Sequence, residues 1–343
     1  MQRVGVFFVI LMGVVLMGLA KHDFPLLSVV HVSSMGDIRR AALTIASFVQ
    51  NIPDDSFIAD YFLVLPDKGV NATLCGVKPE KFQLHCIEET RVLNTTYRAI
   101  RKWVKKPKKN DPSTTHNTWR LQMLLKLAVA PHIRTRYFIT VDSDTLLIKR
   151  VENIQWLLPN YKARVASETR GIHGSWYNAS ERLLHAKGCL DDGDTNQLAI
   201  GVTPAILHRD TMSSVYARIA RLYGAEDKHI LRATLGAGGH SSSWTEYSLY
   251  RVMGCLRADF FKWHEYRMPP GTPSLYYGLW SDEDFAKMMD NDKSHVFENF
   301  LFLIMQDNHV NPDTDLMQQL LRHVFCPPRF KNDFLRLKFL PKC

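Results

Sequence analysis

An apolar run, Leu26-Leu-Ser-Val-Val-His-Val32, is followed by a stretch with helical periodicity and then by a second apolar run, Ile58 to Leu65, stopped by Pro66-Asp67. This strand–helix–strand order constrains the chain more than any other feature. It points to a parallel sheet with helices packed on its faces. Ser34-x-x-Asp37 reads as a capping box that opens the helix. The helix then runs to about Gln50, with Ile38, Ala41, Ala42 and Ile45 on one face. Phe82 to Ile87 supplies a third strand. The fold class expected is α/β, a mixed, mainly parallel sheet with helices on both faces.

Residues 88–115 are polar, basic and broken by Pro107 and Pro112, and read as a loop-rich excursion. A helix from about Thr118 to Val129 precedes Pro131, and Arg136-Tyr-Phe-Ile-Thr-Val141 then runs straight into Asp142-Ser143-Asp144. Beyond it, a short helix is expected over Ile154–Leu158 and strands over Arg164–Ser167 and Leu198–Thr203. Helices are expected over Thr211–Tyr223 and Trp244–Met253. Residues 168–197 read as loop, Gly236–Gly239 as a flexible connection, and 264–282 as mostly loop. Phe297–Gln306 is helix or strand and ends at Asp307-Asn308-His309. The domain reading is residues 1–21 as an entry segment, 22–325 as one catalytic-sized domain with parts at 26–150 and 151–310, and 326–343 as a basic tail.

The entry segment is Val4 to Ala20, seventeen consecutive uncharged residues after Arg3 and before Lys21. As a helix it spans about 25 Å, the lower limit for crossing a hydrocarbon core. It reads as a signal anchor, or as a signal peptide cut after Gly18 and Ala20. Either reading places the rest of the chain outside the cytosol: in the Golgi or endoplasmic reticulum lumen as a single-pass type II protein, or secreted. Asn71-Ala-Thr73, Asn94-Thr-Thr96 and Asn178-Ala-Ser180 are glycosylation triplets that suit this placement. So do six cysteines with no CxxC pair, of which Cys75 and Cys86 close the shortest loop. With 46% hydrophobic and 22% charged residues the chain is globular rather than disordered. The net charge of +9 draws heavily on Arg98–Lys109, a solvated run or a surface that steers an anion. No finger, helix-turn-helix or aromatic strand signature points to nucleic acid.

Two carboxylates at a strand's mouth suit a hard divalent cation that keeps open positions for substrate phosphates. The competing motif, a phosphatase with an aspartyl nucleophile, fits badly: Thr145 directly follows Asp144, more than a hundred residues into the chain. Tyr137-Phe-Ile-Thr-Val-Asp142-Ser-Asp144-Thr-Leu resembles the D-x-D element of glycosyltransferases with the GT-A fold. Trp119-Arg-Leu-Gln122-Met-Leu-Leu-Lys126-Leu is similar to a W-x-x-Q-x-x-x-K-L stretch of a poorly characterised family of GT-A-like proteins. Glu246-Tyr-Ser-Leu-Tyr250 is similar to that family's S-E-Y-x-L-Y, with Thr245 in place of the serine.

The resemblance implies a Rossmann-related GT-A-like fold and a nucleoside-diphosphate sugar donor. It also implies a glycan or glycoconjugate acceptor and Mn²⁺ or Mg²⁺ as cofactor. It casts Asp144 as a direct metal ligand, Asp142 as a contact to donor ribose or to the metal, and His309 as a further ligand with Asp307 as substitute. Gln122 and Lys126, four apart on one helix face, become donor contacts, with Asp142 the alternative partner of Lys126. Glu246 becomes the general base, although Ser243-x-x-Glu246 also reads as a capping box. Trp119, Glu168, Arg170 and Trp244 are candidate acceptor contacts. The rival to this reading is a secretory carbohydrate-binding or adhesion protein without catalysis.

Overall fold

The computed structural model describes residues 27–305 apart from 54–56, 68–72, 105–111, 170–172, 191–197, 236–243 and 289–292. The entry segment, the tail, Asp307, His309, Arg170 and Ser243 lie outside them.

The first half of the chain gives β1 (Leu27–Val32), α1 (Ile38–Asn51), β2 (Ile58–Leu65), β3 (Gln83–Glu88), α2 (Glu89–Val92), α3 (Tyr97–Trp103), α4 (Pro112–Ala128), β4 (Tyr137–Val141) and β5 (Thr145–Leu147). There follow β6 (Ala163–Arg164), β7 (Ser167–Thr169), α5 (Gly174–Leu183), β8 (Leu198–Ile200), β9 (Ala205–His208), α6 (Arg209–Tyr223) and α7 (Asp227–Leu235). The last described elements are α8 (Glu246–Leu256), α9 (Phe260–Trp263), β10 (His264–Glu265), β11 (Ser274–Leu279), α10 (Asp282–Lys287), α11 (Lys293–Asn299) and β12 (Phe300–Met305).

The main sheet has the order β3-β2-β1-β4-β9. Its first four strands are parallel and β9 is antiparallel to β4. A second sheet, β11-β12-β5, grows from the end of β4. Central strands are buried on both faces, which explains why apolar residues dominate them. Tyr137, Ile139 and Val141 of β4 join Leu27 and Val29 of β1 in a core under α1, whereas Phe138, Val30 and Val32 pack into a second core with α4, α6 and α8. This is the mixed, mainly parallel α/β sheet with helices on both faces.

Several expectations are corrected. The excursion 88–115 carries α2 and α3, the latter capped by Thr96, whose hydroxyl accepts from Ala99 N–H. The stretch 168–197 contains α5, and 264–282 contains β11. The strand β9 was not foreseen. Asp37 rather than Ser34 precedes the first helical residue of α1, and the Ser34–Asp37 pair closes a turn ahead of it, Ser34 Oγ donating to Asp37 Oδ2 at 2.6 Å. Phe297–Gln306 resolves into the end of α11 followed by β12. Cys75 pairs with Cys86, as its short loop favoured, and Cys189 with Cys255. Two disulfides fit a secretory or lumenal protein. No helix among the described residues is long and apolar enough to cross a membrane.

At the amino end of β4 lies a buried aromatic cluster. His208 stacks on Trp263, with ring centroids 4.1 Å apart. His264 Nδ1 donates to the Phe260 carbonyl at 2.9 Å, and its Nε2 accepts from Tyr250 at 3.0 Å. Burial depresses both imidazoles, His208 to about 4 and His264 to about 3. Unfolded histidine protonates near pH 6.5, so below that pH the unfolded chain binds more protons than the folded one. Stability is therefore expected to fall as pH drops from about 6.5 towards 4, by up to ~1.4 kcal/mol per pH unit for each histidine. Urea midpoints at pH 7, 5.5 and 4.5 measure this. His208→Phe, which keeps the stack, should flatten the slope, and an equal slope in both chains would contradict the assignment.

Candidate active site

The sheet reverses its winding between β1 and β4: β2 and β3 are added on one side of β1, and β4 on the other. Such a switch leaves a crevice outside the carboxyl ends of the two strands. There β1 runs into Ser33-Ser34 and β4 into Asp142-Ser143-Asp144, and a cleft of about 600 Å³ opens. Its walls include Gln122 and Lys126 of α4, Thr203 ahead of β9, and Glu246 and Tyr247 of α8.

The aspartate turn is held by its middle residue. Thr145 N–H closes the turn on the Asp142 carbonyl at 3.1 Å, and Met305 N–H of β12 binds the Asp144 carbonyl at 2.8 Å. Ser143 O accepts from Thr44 of α1 at 3.2 Å. Ser143 Oγ lies 3.0 Å from His31 Nε2 and donates to Ser33 Oγ at 2.9 Å. Since Ser143 spends its proton on Ser33, His31 Nε2 carries the ring proton and Nδ1 accepts from Tyr61 OH, 2.8 Å away. Burial, against the pull of Asp142 and aided by Lys126, lowers His31 to about 3, so the ring is neutral. Both aspartates therefore project from a backbone fixed by neighbours on three sides.

Behind them stands a buried ion cluster. Lys126 Nζ is 2.8 Å from Asp142 Oδ1 and 2.9 Å from Glu246 Oε1, with Thr203 Oγ1 at 3.3 Å. Gln122 Nε2 donates to the same Asp142 oxygen at 2.6 Å. Tyr247 OH joins Thr203 Oγ1 at 2.6 Å and Thr140 Oγ1 at 3.0 Å. Burial disfavours the Lys126 ammonium, but Asp142 and Glu246 outweigh it and hold its pKa well above the ordinary lysine value. Burial pushes the Tyr247 phenol up as well. Glu246, 3% exposed, lines the cleft with one oxygen against that ammonium. The capping-box reading of this residue is corrected. Thr245 and Ser248 cap α8 reciprocally, Ser248 N–H to Thr245 Oγ1 at 3.1 Å and Thr245 N–H to Ser248 Oγ at 2.9 Å, so Glu246 is not needed there.

The structure brings Asp142, Asp144, Gln122, Lys126, Glu246 and Trp119 to one cleft. It does not bring Trp244, whose indole is 2% exposed and donates to the Thr234 carbonyl at 3.2 Å. Anchored in the core behind α8, that ring has no face for an acceptor. The Glu168 carboxylate accepts from Tyr276 OH at 2.9 Å and His173 Nε2 at 2.7 Å. Sequence reading missed Tyr247, Thr203, Ser33, Trp176, Trp280 and Glu89, which also line the cleft. Only Tyr247 had a signal, inside the E-Y-x-L-Y stretch. Glu89 opens α2, and burial, then the Asp67 carboxylate, push it up to about 7 against Arg101.

As a metal centre the site offers hard oxygen donors only. Among the described residues no cluster of three or more His, Cys, Asp or Glu side chains is assembled. Two carboxylates with substrate phosphates would suit Mn²⁺ or Mg²⁺. The Asp142 carboxylate already engages Lys126 and Gln122, and Asp144 stands two residues on at the same cleft. His309 lies outside the described residues.

Among solved structures, mouse xyloside xylosyltransferase 1 is 10% identical, with 83% of this chain and 99% of that chain covered at a TM-score of 0.42. The galactosyltransferase LgtC is 7% identical, with 82% and 87% covered at 0.40. Core-mannan synthase A of Aspergillus fumigatus is 10% identical, with 72% and 73% covered at 0.43. Likenesses this distant say nothing about the chemistry of the cleft. No curated protein matches the chain. Residues 26–328 match the sequence model described as a family of unknown function, DUF6492, and the chain belongs to that family.

Proposed function

We propose that the protein transfers a sugar from a nucleoside-diphosphate sugar to a glycan or glycoconjugate, aided by Mn²⁺ or Mg²⁺, in the secretory pathway, anchored by residues 1–21 or released from them. The observation that carries this reading is the pairing of Asp142 and Asp144 on a rigid turn with a Lys126–Glu246 ion pair across one cleft. A bound cation would neutralise charge growing on the leaving diphosphate. Asp144 holds it. Asp142, fixed by Gln122 and Lys126, binds donor hydroxyls. Glu246, held by Lys126 at 2.9 Å, accepts the proton of the attacking acceptor hydroxyl. Lys126 thus ties the donor side of the cleft to the acceptor side through one ammonium.

Calorimetry with UDP and GDP, with and without Mn²⁺, tests the reading, together with turnover over a panel of nucleotide sugars. Binding that requires both nucleotide and cation is expected. Glycan binding indifferent to nucleotide would instead favour a non-catalytic carbohydrate-binding protein. Glu89 adds a pH signature. As it ionises around pH 7 the cleft gains a negative charge, so affinity for UDP or GDP should fall roughly three- to tenfold between pH 6 and 8, about 1 kcal/mol at partly screened distances. Glu89→Gln should remove that step relative to the unaltered chain, and an unchanged pH profile in the variant would place the charge elsewhere.

A further inference from the structure

Resting on the transferase reading, we infer that Trp119 and Trp176 form a braced aromatic platform that stacks a neutral pyranose ring of the acceptor at the mouth of the cleft. Trp119 of α4 is 39% exposed although it is an indole, and it lies one turn before Gln122 on the helix that carries Lys126. Trp176 of α5 stands beside it, with ring centroids 6.3 Å apart and planes inclined by 54°. Both line the cleft. Two neighbouring indoles open to one cleft form an aromatic patch rather than a scattered exposed side chain, and such patches mark binding sites. Indole faces attract the weakly positive C–H groups on the flat side of a pyranose, whereas hydroxyls at the ring edge stay solvated.

The second indole is held in place from behind. The His173 ring lies flat on Trp176, 3.9 Å between centroids and 1° from parallel. His173 Nε2 donates to Glu168 at 2.7 Å, and Tyr276 OH of β11 donates to the other Glu168 oxygen at 2.9 Å. Gly201 makes room for this brace: a Cβ there would stand 2.8 Å from Glu168 Oε1 and 3.1 Å from Tyr276 OH. Glu168 is therefore a positioning residue, its carboxylate spent on the brace rather than on a sugar hydroxyl.

The platform belongs to the acceptor side. α5 is tied to α8, which carries Glu246, by Ser180 Oγ and Ser248 Oγ at 2.7 Å. The donor phosphates are claimed by the aspartate turn at the sheet edge. A ring stacked on Trp119 and Trp176 would present its hydroxyls toward the wall that holds Glu246.

The test uses the full chain and a panel of methyl hexopyranosides and xylopyranosides, with ligand-observed NMR titration for the glycosides and calorimetry for Mn²⁺ with UDP or GDP. At least one glycoside should bind. Its affinity should fall tenfold or more in Trp176→Ala and in Trp119→Ala, with nucleotide binding unchanged. His173→Ala should weaken it about threefold, and His173→Phe, which keeps the flat stack, should restore it. Glycoside binding untouched by these variants overturns the proposal, as does the absence of glycoside binding where nucleotide binds. Loss of nucleotide affinity in the tryptophan variants overturns it too, since the indoles would then hold a nucleobase. If the unaltered chain binds glycosides through these tryptophans but never a nucleotide, the transferase reading fails and the platform stands.

Discussion

Asp144→Asn is expected to lower Mn²⁺-supported sugar transfer at least ~10³-fold, a loss of about 4 kcal/mol of transition-state stabilisation, while the Tm moves by no more than about 3 °C. The two halves of this expectation have separate causes. The side chain of Asp144 is half-buried at the mouth of the cleft, so little packing depends on it. Its backbone is fixed by Met305 N–H and by the Ser143 contacts, none of which needs the carboxylate. The amide of asparagine keeps the shape and removes the charge, so the loss should register chiefly in the Mn²⁺ dependence of transfer. Asp142→Asn should act differently. It takes one anion from Lys126 and leaves Glu246 as that lysine's partner, so a loss of about 10–100-fold, expressed mainly in donor KM, is expected. Steady-state kinetics with saturating and limiting Mn²⁺ separate the two. Full turnover by Asp144→Asn, or by the unaltered chain in excess chelator, would end the metal-dependent reading.

The parts of this architecture that could be read from sequence are those whose signals are local. β1, β2 and β4 are dominated by apolar residues because both faces are covered, and α1 carries its buried positions at helical spacing. The two aspartates announced themselves by following such a strand directly, and Gln122 and Lys126 by standing one helical turn apart. What escaped was fixed by distant partners. β9 is four residues long, and only its antiparallel pairing with β4 makes it the fifth strand of the main sheet. β11, Ser274-Leu-Tyr-Tyr-Gly-Leu279, shows no regular alternation and becomes a strand through β12, with a register running from Ser274↔Phe300 to Leu279↔Met305. Trp244 and Trp119 look equally available in the sequence. One stands just ahead of α8, buried with its indole bonded to the Thr234 carbonyl, and the other stands on α4 in the cleft; only tertiary packing tells them apart. The salt bridge between Lys126 and Glu246 joins residues 120 positions apart, and no periodicity within either helix foretells it.

That salt bridge supports the largest expected change in stability. Lys126 and Glu246 are 2% and 3% exposed, and the ammonium is shared with Asp142. Lys126→Met keeps the length of the side chain but leaves a buried carboxylate without its cation, which costs about 3–5 kcal/mol. Arginine is no substitute, since fitting the larger planar guanidinium into this packed site costs roughly 1–3 kcal/mol. The sign of the pH dependence follows from the raised pKa of Lys126. Its contribution is fully present below the unfolded lysine value near 10.4 and is lost only as pH rises through the higher folded value. The gap between the two chains should therefore persist at neutral pH and close above about pH 10.5. Removing both charges isolates the pair. In Lys126→Met/Glu246→Gln most of the lost stability should return, because no ion remains buried alone, yet transfer should stay abolished because the carboxylate that accepts the acceptor's proton is gone. Urea denaturation of the two single variants and the double variant, read as a thermodynamic cycle, gives the coupling directly. Additive losses would mean that the two charges do not act on each other. A double variant that regained transfer along with its fold would remove Glu246 from the chemistry and leave it a purely structural counter-ion.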